Sequence, residues 1–249
     1  MPLPYLRRLT ARDRTEAANQ HLARYLAFVA GAVNAGGFLA IRQYTSHMSG
    51  IVSSIADDLA LANFKPVLAG MLAVISFVMG AFCTSSLIRW ARRRKLHSEY
   101  ALPLVFEAML LIVFGVVGRE FAGHVAITTM VLLCFTMGLQ NSMITKISGA
   151  VIRTTHLTGM LTDIGIEFGR IAFATREEAG AEHFPDMRKL RLLGSLVALF
   201  FVGGVTGALG FRYLGFLFTV PLAAVLVVLA MMPVMDDLRA ARAGELVVD

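Results

Sequence analysis

Six long apolar stretches constrain this 249-residue chain more than any other feature: residues 25–41, 66–88, 101–118, 124–145, 192–211 and 213–233. Each comes near the roughly 17–25 residues that a helix needs to cross a hydrocarbon core about 30 Å thick. Charged residues make up 16% of the chain, against about 25% in soluble domains. The expectation is an all-α membrane protein with six transmembrane helices and the lipid bilayer as its principal partner. Arg7, Arg8, Arg12 and Arg14 precede the first stretch without the small-residue cleavage pattern of a signal peptide, so that span is expected to stay attached.

In a soluble protein a net charge of +6 would point to nucleic acid, but here placement matters more than the sum, and no nucleic-acid partner is expected. With six spans, one side of the membrane collects 19 of the 23 Lys and Arg, leaving Arg42, Lys65, Arg119 and Arg212 opposite. Basic residues are retained in the cytoplasm, so both termini are expected there. Cys83 and Cys134 fall inside apolar stretches and show neither a disulfide framework nor metal-ligand spacing.

Within this frame one sentence is written twice. Ser46-His47-Met48-Ser49-Gly50 is echoed by Thr155-His156-Leu157-Thr158-Gly159. If residues 44–62 crossed as a further helix, the next span would carry Arg92, Arg93, Arg94 and Lys95 to the outside, against the charge rule. The same test on residues 154–173 requires them to enter and return. Both segments therefore read as re-entrant or interfacial half-helices, the first dipping from outside and the second from the cytoplasm. Gly31-Ala32-Val33-Asn34 matches Gly138-Leu139-Gln140-Asn141, and Phe77-Val78-Met79-Gly80 matches Phe201-Val202-Gly203-Gly204. Each half is then a span, a half-helix and two spans, an inverted 3+3 repeat of the kind found in secondary transporters. The organisation expected is a cytoplasmic segment 1–24, a first repeat 25–120, a second repeat 121–235 with a cytoplasmic insert 174–191, and a cytoplasmic tail 236–249.

A helix starting at Ser49 or Thr158 offers unpaired amides and a partial positive charge, suited to an anionic or polar small solute. Ser46, Ser49, Thr155 and Thr158 can cap those amides or donate to a ligand; His47 and His156 can donate, accept or titrate near neutral pH. Gly50 and Gly159 permit close backbone approach. The same residues also suit a bland role, since a Ser or Thr before a helix start is an ordinary cap. Asn34, Gln140 and Asn141 are polar groups inside spans, serving either a pathway or helix-helix hydrogen bonding. Glu107, seven residues into an apolar stretch, is costly to ionise there and is the foremost proton or cation carrier. Asp57, Asp58, Asp163 and Glu167 are expected near the surface, and Arg42 as a solvated anchor. No nucleophile elbow, phosphate loop or zinc-protease motif is present, so neither enzyme activity, a cofactor nor a metal is expected. A homo-oligomer is compatible with so small a chain.

The segments AFVAGAVNAGGFLAI…YTSHMSG and MGLQNSMITKISGAVIRTTHLTGMLTDIG resemble the YoaK-type family of small bacterial inner-membrane proteins, a family of unknown function, over roughly residues 20–235. The resemblance implies a six-span protein of the bacterial cytoplasmic membrane and carries no substrate with it. Asn34 stands where that family more often has Asp, and Ile51 where it more often has Asn. That puts proton or cation coupling through position 34 in doubt and leaves Glu107 and the two histidines. The expected function is a small-solute transporter or channel with a central site at the two half-helix starts; a non-transporting scaffold or sensor is the alternative.

Overall fold

The computed structural model describes residues 9–10, 15–120, 126–148, 155–172 and 186–242. Every element in them is helical: α1 (Glu16–Ile41), α2 (Met48–Ala60), α3 (Phe64–Arg93), α4 (Ala101–Glu120), α5 (Ala126–Ile147), α6 (Leu157–Ala172), α7 (Met187–Leu214) and α8 (Thr219–Arg242), with a 3-10 turn at Gly215–Phe218. By length and composition, four helical segments suffice to cross a membrane: Glu16–Ile41, Phe64–Arg93, Ile127–Ile147 and the 56-residue Met187–Arg242. The last is α7 and α8 joined. As one helix it would reach about 84 Å, more than twice a bilayer core. Gly215 breaks it, with φ 59° and ψ −148°, a conformation open in practice only to glycine. Ala101–Val116 is apolar but shorter.

Relative helix directions follow from residue pairs. Arg24 Nε donates to Ser195 Oγ at 2.9 Å, Ala32 meets Gly207 and Gly36 meets Phe211, so α1 and α7 run parallel. The Ser76 hydroxyl donates to the Val131 carbonyl at 2.6 Å and the Thr84 hydroxyl to the Leu139 carbonyl at 2.9 Å, so α3 and α5 are parallel. Asn19 Nδ2 reaches the Ile147 carbonyl at 3.2 Å and Gln140 Nε2 the Leu26 carbonyl at 3.1 Å, making α1 and α5 antiparallel. Gly115 faces Thr219 while Ser98, just before α4, bonds Asp237, so α4 and α8 are antiparallel. It follows that α1 opposes α3, and α5 opposes α7. Helices α2 and α6 therefore each lie between two antiparallel long helices. At 13 and 16 residues these span about 20 and 24 Å, short of a hydrocarbon core.

The contacts recur in pairs. A Cβ on Gly31 would strike the Phe200 carbonyl, and one on Gly138 the Phe77 carbonyl; Gly203 and Gly80 sit in the same way against the carbonyls of Phe28 and Phe135. With no side chain in the way, helix backbones touch, the small-residue packing that membrane helices use in place of a hydrophobic driving force. The pairing sets Gly80 against Gly203 rather than Gly204, one residue from the register read in the sequence. The core lies between α1, α4, α5, α7 and α8, with Leu26, Leu104, Phe114, Met137 and Leu196 fully buried.

Two boundaries differ from expectation. The first helix begins at Glu16, inside the segment expected to precede the membrane, because Thr15 caps it by accepting from the Ala18 amide and Leu22 and Ala23 are already buried. Leu9 and Thr10 are buried too, and Thr10 Oγ1 donates to the Leu229 carbonyl at 2.8 Å. Of the insert 174–191, residues up to 185 lie outside the described residues, while Met187 to Arg191 form the first turns of α7.

Candidate functional site

Each motif is fastened to the first helix of its half by the same bond. Ser46 Oγ donates to Asn34 Oδ1 at 3.0 Å, and the Ser46 amide reaches the same oxygen at 3.3 Å. Thr155 Oγ1 donates to Asn141 Oδ1 at 2.8 Å. Ser46 and Thr155 therefore cap no helix; they hold the turn that feeds it. A buried amide oxygen is an acceptor with two lone pairs and no charge, which a hydroxyl satisfies without a counter-ion.

Helices α2 and α6 start one residue earlier than expected. The first backbone bonds run from Ile51 N to His47 O and from Met160 N to His156 O, both at 3.1 Å, so each histidine occupies the cap position. His47 makes no side-chain cap bond. Its imidazole folds over Gly50, where a Cβ would lie 2.8 Å from Nε2, and His156 folds over Gly159 with Nδ1 at 2.9 Å. The early amides are thus left to a ligand or to water. His47, Ser49, His156 and Thr158 are exposed on the surface of the chain, while Ser46, Gly50, Thr155 and Gly159 are half-buried.

Helix α2 returns along α3. Ile55 packs on Gly70 near the start of α3, while Ile51 joins Ala73, Met130 and Cys134 deeper in, with Met48 and Phe77 against that cluster. The N-terminal end of α2 thus points inward. Leu26 lies level with Gln140, so Asn141 is level with Tyr25; nine residues at 1.5 Å then set Asn34 and Asn141 about 14 Å apart along the helix direction. The motifs make two polar stations, one in each half, rather than a single point.

Gln140 is buried and spends its amide on Leu26, leaving Oε1 without a partner. Glu107 is wholly buried on α4, and neither carboxylate oxygen has a hydrogen-bond partner. A carboxylate so placed is expensive to hold ionised. Among the described residues no hydrogen bond links Gln140 or Glu107 to the motif histidines.

Two features escaped sequence reasoning. Glu167, expected near the surface, is fully buried: Oε1 accepts from Arg170 at 2.9 Å and Oε2 from the Asp186 amide at 2.9 Å, clasping α6 to the start of α7. Lys189 reinforces the clasp through Asp163 at 3.3 Å. Asp186 caps α7, and the Lys189 amide, ahead of the Arg188 amide, holds its carboxyl below the usual value. At the α3–α4 turn, Asp237 accepts from the amides of His97 and Ser98 at 2.8 and 2.9 Å, and buried Glu99 pairs with Arg92 at 3.1 Å. The acidic residue four positions after a basic run was the available signal for Glu99; nothing local marks Asp237. Arg42 is exposed and ends α1 in the left-handed region, φ 58°. Asp57 is exposed, and Asp58 and Asp163 are half-buried. Among the described residues no group of three His, Cys, Asp or Glu is placed to hold a metal ion.

The paired motifs and the helices that carry them fall within residues 22–232, which match the family model described as "Protein of unknown function (DUF1275)". The chain belongs to the DUF1275 family. It is also 25% identical over 193 residues to the UPF0700 transmembrane protein YoaK of Bacillus subtilis (strain 168), covering 76% of this chain and 82% of that protein. No solved structure matches. This member of the family is accordingly a transmembrane protein with membrane-embedded helices, as the resemblance seen in its motifs implied.

Proposed function

We propose that the protein is a small-solute transporter or channel of the bacterial cytoplasmic membrane, with both termini in the cytoplasm and two half-helices, α2 and α6, dipping in from opposite faces of an inverted 3+3 repeat. The observation that carries the reading is the duplicated fastening, Asn34 to Ser46 and Asn141 to Thr155. It supports two equivalent half-helix starts, one per half, each with an exposed histidine and hydroxyl at its unpaired amides. An anionic or polar solute would meet His47, Ser49 and Gly50 at one station and His156, Thr158 and Gly159 at the other, about 14 Å further along the helix direction. Glu107, buried on α4, is the group suited to take up and release a proton. No enzyme activity and no cofactor is proposed.

The test uses purified full-length protein, thermal shift against a panel of small anions and polar solutes, and uptake into proteoliposomes. The His47→Ala/His156→Ala double variant should lose the solute-dependent shift and the uptake while keeping its own melting temperature. Unchanged binding and uptake in a folded double variant would refute the proposal. Topology is tested separately with Leu61→Cys and Ala172→Cys in a Cys83→Ala/Cys134→Ala background: an impermeant maleimide should label the first from outside and the second only from the cytoplasm. Labelling of both from one side removes the inversion.

A second reading, a non-transporting scaffold, is favoured by one observation: both asparagine oxygens are already satisfied by the chain's own hydroxyls. It expects no solute-dependent shift and a destabilised double variant.

A further inference from the structure

Beside the seam between α3 and α5 lies a groove of about 430 Å³ lined by Met79, Phe82, Cys83, Ser86, Leu87 and Trp90 of α3, with Phe135 of α5 as one wall. Its residues recur at the i, i+3, i+4, i+7 spacing of one helix face. Phe82 is 63% exposed and Trp90 52%, so nothing among the described residues covers them. From Met79 to Trp90 the groove runs about 16 Å, close to the half-thickness of a bilayer core of about 30 Å. It has the length of one leaflet.

The same face does not end at Trp90. Arg93 and Arg94, three and four residues on, continue it, and both are exposed. Their neighbour Arg92 turns away, donating to Glu99 at 3.1 Å and to the Tyr100 hydroxyl at 2.9 Å. One arginine closes the α3–α4 turn, and the other two follow the groove's last residue on the same helix face. Tryptophan is the side chain that sits at the level of lipid headgroups, and basic residues there attract acidic ones. The corresponding face of α7, with exposed Val202, Val205, Leu209 and Tyr213, leads instead into Leu214-Gly215-Phe216-Leu217, and its one cation, Arg212, lies over the Tyr213 ring at 5.8 Å.

We infer that this groove is a binding site for an anionic phospholipid, one acyl chain lying along Met79 to Leu87 and the phosphate held by Arg93 and Arg94 over Trp90. Guanidinium forks match phosphate oxygens in pairs, and the apolar wall supplies the chain-shaped surface that a bare basic cluster lacks. The site needs only that α3 crosses the membrane and is independent of any transport role.

Trp90 is the only tryptophan in the chain, which makes the test direct. Full-length protein is reconstituted into phosphatidylcholine vesicles containing equal fractions of either brominated phosphatidylcholine or brominated phosphatidylglycerol, whose bromines quench a tryptophan they touch. In 50 mM salt the acidic lipid should compete for the site about fivefold better, roughly the worth of one well-placed basic residue. The preference should fall toward unity in 1 M salt and in Arg93→Gln/Arg94→Gln, and survive in Arg93→Lys/Arg94→Lys. Equal quenching by the two lipids at low salt overturns the site, as does a preference that ignores salt on the unmutated protein. Quenching that appears only as protein is diluted would assign the face to a second copy and overturn it as well.

Discussion

Replacing Gly31 by alanine tests the packing that organises the whole molecule. A Cβ there would lie 2.9 Å from the Gly204 nitrogen and closer still to the Phe200 carbonyl oxygen. Carbon meets backbone oxygen comfortably no nearer than about 3.3 Å, and backbone in a paired helix cannot swing aside as a side-chain tip can. Relief requires α1 and α7 to part by roughly 1 Å, a gap that forfeits a quarter to a half of each dispersion contact along the seam. Overpacking of this kind costs about 1–3 kcal/mol, and the upper part of that range applies because the obstacle is main chain on a parallel helix. Against it stands the gain of about 0.5–1 kcal/mol from replacing glycine within a helix. The net loss is about 2 kcal/mol, or roughly 4–8 °C in the melting temperature of a chain this long. The assay is thermal unfolding of the detergent-solubilised protein, followed by Trp90 fluorescence. Gly138→Ala, which meets the Phe77 carbonyl in the same way, should lose a matching amount. Gly165→Ala in α6, where an added Cβ meets nothing within 4 Å, should instead melt at or slightly above the unmutated protein. A Gly31→Ala variant as stable as Gly165→Ala would refute the argument.

Other perturbations have equally definite signs. Asn34→Ala and Asn141→Ala each remove two hydrogen bonds worth about 0.6 kcal/mol apiece, so each should lower the melting temperature by about 2–5 °C, by similar amounts. Glu167→Ala strands the Asp186 amide and the Arg170 guanidinium; a loss of about 1.5–3 kcal/mol should appear as faster proteolysis at the start of α7, whereas Lys189→Ala, breaking a half-exposed pair, should change it little. Glu107→Gln keeps the shape and removes the risk of a buried charge, so its melting temperature should equal or exceed that of the parent; a fall of several degrees would mean that the carboxylate is paired.

Asn34, Ser46, His47 and their counterparts were legible because the chain repeats them, and the repetition survives folding as a repeated bond. The consequence of that bond was not legible: that the hydroxyls serve the asparagines rather than the helix amides, and that the two stations stand apart along the helix direction, depend on how deep each turn descends. Glu167 shows the same limit. Its spacing from Asp163 places both on one face of α6, yet only the arrival of Asp186 from the next helix buries it.

The sequence by itself determined the helices and their membrane setting, because hydropathy and charge act on each segment without reference to its neighbours. Water rejects a 20-residue apolar stretch wherever it occurs. Tertiary structure alone decided which helices run together, the one-residue register that makes Gly80 the counterpart of Gly203, and the faces left open on the surface. Those outcomes rest on backbone approach and shape complementarity between segments from 55 to more than a hundred residues apart, and no local pattern encodes which carbonyl a given glycine will meet.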